Sequence, residues 1–212
     1  RHVIVNRKTV AKLMNSLGIK SRVCKKFRVQ TTDSSHSNPI VPNTLDQNFA
    51  SAAVPNQIWA ADITYIHTDE GFLYLAGVMD LFSRRIVGWS MDDTMNSKLV
   101  ADAFTAAVDS RMSSSRTAAF GLLHHSDRGG QYTSSHYRSL LAHHGVRASM
   151  SRKGNCYDNA MVESFWGKLK VEMVHHEHFA TKAQARAAVF EYIEMFYNRE
   201  RLHASLNYLS PV

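Results

Sequence analysis

Between Ile58 and His67 the run IWAADITYIH alternates its faces and is rich in aromatic and β-branched residues, which predicts a strand. Thr68-Asp69-Glu70-Gly71 has turn chemistry, and FLYLAGVMDLF and RRIVGWSM then continue as two further strands of a meander. From Ser97 to Met112 the residues Leu99, Val100, Ala103, Phe104 and Ala107 fall on one face of a helix. GLLHHSD reads as a short buried strand ending in a Gly-Gly turn, HYRSLLAHHG as a helix stopped by Gly145, and RASMS as a fifth strand. Two more helices follow, from Asp158 to about His175 and over 181–199, the second packing through Val189, Tyr192, Ile193 and Phe196. This order, three strands and then alternating helices and strands, predicts an α/β fold over 57–212: a mixed five-stranded sheet flanked by helices.

Upstream of the sheet the pattern changes. Val10, Leu13, Met14 and Leu17 recur at helical spacing and Gly18 supplies a stop, so 6–17 reads as one short amphipathic helix with a basic outer face. Such a helix is compatible with the last helix of a helix-turn-helix unit, here assigned to residues 1–28. Residues 29–56 hold three prolines and many Ser, Thr and Asn, the composition of a linker or draped arm. The chain opens on Arg1 and stops just after Ser210-Pro211, which reads as a piece cut from a longer protein.

Charge sharpens this division. The formal net charge is +7, yet residues 1–30 carry nine Lys or Arg and no acid, while the remainder is close to neutral. A basic arm on a neutral body is the footprint of a polyanion binder, with a solubilising tail as the alternative. Lys8, Lys12, Arg22, Lys25 and Lys26 are its candidate contacts. Two distant cysteines, Cys24 and Cys156, argue against a disulfide framework and for a reducing, cytosolic setting. No apolar run is long enough to span a membrane. The adjacent pair His124-His125 would face opposite sides of a strand, and no paired His and Cys motif supports zinc.

The chemistry lies in three acids. Asp62 sits within an apolar strand, where a carboxylate is costly unless compensated. Asp127 ends another apolar strand in HSDRGGQYTS, where Gly129-Gly130 allows close backbone approach and permits positive φ. Glu163 lies one turn into a helix whose core face is Val162, Phe165, Trp166, Leu169 and Met173, so it falls at the edge of that face. Carboxylates on two strands and a helix edge suit hard divalent cations, Mg²⁺ or Mn²⁺, two of which would serve in-line displacement at phosphorus. The alternative is separate structural acids, and spacing alone does not decide between them.

The segments IWAADITYI, VMDLFSRRIVGW, HSDRGGQYTS, SMSRKGNCYDNAMVESFWGKLKVE and FYNRERLHASLNYLSP resemble the OrfB-type transposases of the insertion-sequence-three family, within the retroviral integrase superfamily. The 35 residues between Asp127 and Glu163 match the interval such DDE enzymes share. The resemblance implies an RNase H-like fold and assigns Asp62, Asp127 and Glu163 as catalytic metal ligands, with two Mg²⁺ or Mn²⁺ ions in the DNA-bound state. It implies a bacterial, nucleoid-associated transposase that cleaves and joins element ends through a circular intermediate, as at least a dimer on double-stranded DNA. An RNase H-like nuclease or resolvase, and an inactive DNA-binding relic, are the rival readings.

Lys170, seven residues after Glu163, lies about 20° from two full turns and therefore on the same helical stripe, with Gly167 between them. Similar enzymes use a basic residue there to contact the element end. Further DNA-contact candidates are Arg128, Arg152, Lys153, Asn159, Arg199 and Arg201, with Asn198 and His203 beside them. Asp158 is expected to cap its helix. Trp59, Trp89 and Trp166 read as core.

Overall fold

The computed structural model describes residues 5–19, 36–112 and 121–212, without the side chains of Met112 and Cys156. The meander is β1 (Ile58–Thr68), β2 (Gly71–Asp80) and β3 (Ile86–Asp92), each antiparallel to the next. Helix α2 (Ser97–Met112) then crosses to β4 (Leu123–Ser126), which lies parallel to β1. A single turn, α3 (Gly130–Thr133), and α4 (Ser135–His143) lead to β5 (Arg147–Met150), parallel to β4. Parallel neighbours require such helical crossovers. The sheet order is β3-β2-β1-β4-β5, a mixed five-stranded sheet as the pattern predicts.

Alternation along the strands feeds two cores. Ile58, Ala60 and Ile66 of β1 pack with Leu73, Leu75 and Met79 under α5 (Ala160–Glu172) and α6 (Lys182–Phe190). Trp59, Ala61 and Ile63 point the other way, against Phe104 and Ala107 of α2 and Tyr137 and Leu141 of α4. Helices thus cover both faces. Helix α1 (Arg7–Ser16), capped by the Asn6 side chain, buries none of its residues, so Val10, Leu13 and Leu17 stay exposed.

The stretch 36–56, expected as linker, is packed onto the domain. Leu45 and Ala52 are buried in the core under α5 and α6. Pro42 accepts the Met150 amide at 3.4 Å, covering the open edge of β5. Apolar residues spaced singly among polar ones carry no period, so the pattern does not announce this docking. Arg22, Lys25 and Lys26 lie outside the described residues.

The final helix also departs from expectation. After α6, closed at its start by a Thr181–Gln184 capping box, the chain widens into a π-helix over Glu191–Tyr197. The extra residue per turn advances the buried face by one position: Tyr197 is 1% exposed and Phe196 40%. It also turns Asn198 inward, where its side chain accepts from the Ile86 amide and donates to the Ile86 carbonyl, both at 3.0 Å. Asn198→Ala should leave both buried backbone groups unpaired, costing about 2–3 kcal/mol and lowering Tm by roughly 5–10 °C in a thermal melt.

Candidate active site

β1 and β4 stay paired only from Ile58↔Leu123 to Ala60↔His125, and then part. Asp62 and Asp127 each lie two residues beyond that last pair, so they stand at one level, on one face, where two parallel strands diverge. Such a divergence is where an α/β sheet opens a crevice. Glu163 reaches the same side from the first turn of α5, whose start is tied to β1 by Asn159 donating to the Ala61 carbonyl at 3.1 Å.

The three acids feel one another. Burial raises the Asp62 carboxyl well above the usual carboxylate range, and repulsion from Asp127 and then Glu163 raises it further. Glu163 is raised by desolvation and by Asp127. Among the described residues no three His, Cys, Asp or Glu side chains form a ready-made ion cage. The cluster is an open set of hard oxygen donors under mutual repulsion.

Neutral donors hold these acids in place. The Trp166 indole donates to Asp62 Oδ2 at 3.1 Å. It reaches Asp62 across Gly77, the cross-strand partner of Asp62, where a Cβ would lie 2.8 Å from Trp166 Cη2. Asp127 Oδ1 accepts the Gly129 amide at 2.8 Å. Gly129 has φ −59°, so its role is space and not positive φ: a Cβ there would crowd Asp127 Oδ1 at 3.0 Å and Gln131 Oε1 at 2.9 Å. Beneath them Tyr132 is buried, its hydroxyl without a hydrogen-bond partner among the described residues and its pKa raised by burial and then by Asp62. Lys170 places Nζ 4.7 Å from the centroid of the Tyr65 ring; desolvation lowers its pKa while the Asp62 charge raises it.

Comparison with known proteins places the chain in a family. Two integrase core domain family models match, over residues 52–156 and 163–212. The chain is 46% identical over 209 residues to the insertion element IS600 uncharacterized 31 kDa protein of Shigella sonnei, covering 99% of this chain and 74% of that one. It is also 46% identical over 206 residues to the transposase InsF for insertion sequence IS3fB of Escherichia coli K12, covering 97% of this chain and 69% of the relative. The chain belongs to the IS3 family of transposases. Its fold is RNase H-like: the HTLV-2 integrase catalytic core domain in complex with magnesium superposes with a TM-score of 0.52 at 17% identity, over 72% of this chain and 93% of that one. A transposase of this family is a DDE polynucleotidyl transferase.

In this IS3-family transposase the remaining candidates separate. Lys153 and Arg199 are exposed, as are Lys8 and Lys12 on α1. Arg128 donates from Nε to the Ser151 carbonyl at 2.6 Å. Arg152 is committed to Asp158 and Asp46, at 2.8 and 3.0 Å. Arg201 is spent on Glu172, with contacts of 2.6–3.1 Å. Asn159 and His203 are buried, as is Asn198. His124 and His125 do face apart, His124 beside the Tyr137 hydroxyl and His125 between Ser149 and Ser151. Burial lowers their pKa values to about 3 and about 4.

Sequence reasoning missed the polar duty of Trp166, the space kept by Gly77, and Tyr65 beneath Lys170. Trp166 lies three residues after Glu163, on the stripe that carries Lys170, and that spacing was the available signal. Asp158 does not cap its helix: its carboxylate turns to Arg152, Asn43 and Gln47.

Because Asp62 and Glu163 have folded-state pKa values raised above their unfolded ones, ionising them costs the folded state stability. That cost is absent below the ordinary carboxylate range, grows as pH rises through it, and is complete above the raised values. Asp62→Asn keeps an acceptor for the Trp166 indole but removes the buried, repelled charge. It should raise Tm by about 1–3 °C at pH 7 in chelator. The gain should vanish near about pH 4, where the Asp62 carboxyl is itself protonated; melts across pH test this.

Proposed function

We propose that Asp62, Asp127 and Glu163 are the catalytic acids of this transposase and hold two Mg²⁺ or Mn²⁺ ions once DNA is bound. The reading is supported above all by the shared level of Asp62 and Asp127 where β1 and β4 part, with Glu163 within electrostatic reach. The donor set fits: three hard carboxylates whose repulsion a dication would reverse, arranged openly enough to leave positions for phosphate oxygens. The ions would supply activation of the attacking oxygen and stabilisation of the leaving one.

The reaction is phosphoryl transfer without a covalent protein intermediate. Water attacks at the element terminus and frees a 3′-hydroxyl, which then attacks a second phosphodiester. The protein's part is placement and charge. Trp166 fixes one oxygen of Asp62. Lys170, stacked on Tyr65, stands on the Glu163 stripe as the cation for a terminal phosphate. Lys153 offers a second, exposed contact. Residues 1–28, with Lys8, Lys12, Arg22, Lys25 and Lys26, are the DNA-binding region, and 57–212 the core. Joining two ends calls for at least a dimer on double-stranded DNA, in the bacterial nucleoid.

Glu163→Gln should abolish joining of a pre-cleaved 3′-hydroxyl end to target DNA in Mg²⁺, with DNA binding and Tm retained. Full joining activity in that variant would reject the assignment. Hydrolysis without joining by the wild-type protein would mark a nuclease instead. Lys170→Ala should weaken joining by about 10-fold or more and flatten the salt dependence of end binding. In filter binding, an unchanged salt slope would remove Lys170 from the DNA interface.

A further inference from the structure

Residues 36–47 run as a strap along the rim that carries two of the three acids. At one end the His36 Nε2–H donates to the carbonyl of Arg128, next to Asp127, at 2.8 Å, and Asn38 donates to Thr133 Oγ1 at 3.1 Å. In the middle the amides of Thr44 and Leu45 both donate to Ser149 Oγ, at 2.9 and 3.3 Å. At the other end Asn43 and Gln47 donate to the two oxygens of Asp158, at 2.9 and 2.7 Å.

Asp158 is the clasp. It is 0% exposed and accepts, besides these two, the Arg152 amide at 2.7 Å and the Arg152 guanidinium at 2.8 and 3.1 Å. Arg152 returns to the strap through Asp46 at 3.0 Å. An acid kept only to end a helix would bond the amides of its own first turn. This one instead binds the strap to the turn that opens α5, five residues before Glu163 and beside Asn159, which grips β1. A buried carboxylate with so many donors is a rigid joint, because breaking any one bond leaves a charge under-solvated.

We propose that the Asp158 clasp, closed by Asn43 and Gln47, is a positioning device for the transfer reaction, setting Glu163 relative to Asp127 through the strap. This rests on the assignment of those two acids as catalytic. Neither Asn43 nor Gln47 belongs to the proposed catalytic or DNA-contact set, so together they cut the strap from the clasp without touching the machinery.

The test uses the 212-residue chain carrying Asn43→Ala and Gln47→Ala, with Gln47→Ala alone as the milder variant should the pair fail to fold. Joining of pre-cleaved ends should lose about tenfold or more in kcat with KM for DNA ends within about twofold, the signature of misplaced reacting groups. Titration of the protein bound to pre-cleaved DNA ends with Mn²⁺ in a calorimeter should show affinity reduced severalfold. Wild-type kcat and wild-type Mn²⁺ affinity in a folded strap variant, with Glu163→Gln inactive alongside, would overturn the clasp and spare the site. Full joining by Glu163→Gln would overturn both.

Discussion

Everything distinctive about this molecule follows from the parting of β1 and β4. While the strands are paired, their side chains pack into two dry cores. Two residues later the pairing has ended and a carboxylate stands on each strand, with a third on the helix above. Burial makes the charges of Asp62 and Glu163 costly and the neighbouring acids make them costlier still, and the cluster persists because the surrounding fold is stable enough to carry it. A site poised in this way favours whatever positive charge enters it.

Around that repulsive centre the protein spends neutral, rigid donors. An indole N–H, a glycine amide and an asparagine amide hold the acids or the backbone beside them. Such groups fix direction without cancelling charge, whereas an arginine placed there would neutralise what the site keeps. Among the described residues, two nearby arginines are turned to other work. Arg152 serves Asp158 and Asp46, and Arg128 holds the Ser151 carbonyl. Lys170 is the cation on the Glu163 stripe itself, kept in reach by the face of an aromatic ring. Gly77 and Gly129 show how tight this packing is, since a single added carbon at either would press on Trp166 or on Asp127.

The sequence by itself determined a good deal. Alternation and helical spacing depend on short-range geometry, so the five strands, the α/β class and the two-sided core were readable from residues such as Trp59, Ala60, Leu99 and Phe104. Asp62 and Asp127 stood out because a carboxylate inside an apolar run contradicts its surroundings, and Glu163 because it falls at the edge of a helix's core face, 35 residues beyond Asp127. The resemblance to transposases rested on motifs that local order preserves, and the relatives carry the same family identity.

Tertiary structure decided what local order cannot encode. No period marks Leu45 and Ala52 as core, because their burial depends on a surface contributed by strands and helices far along the chain. Asp158 sat where a cap belongs, yet a distant Asn43 and Gln47 outbid the helix amides for its oxygens. Arg201 and Asn198 looked available for DNA until Glu172 and the backbone of Ile86 claimed them. The π-helical turn exchanged Phe196 for Tyr197, a shift of one residue that a regular helical pattern cannot foresee. In each case the partner lies tens of residues away or the geometry departs from regularity. Sequence settles what each segment becomes and which groups are chemically capable; only the fold settles which of those groups are already taken.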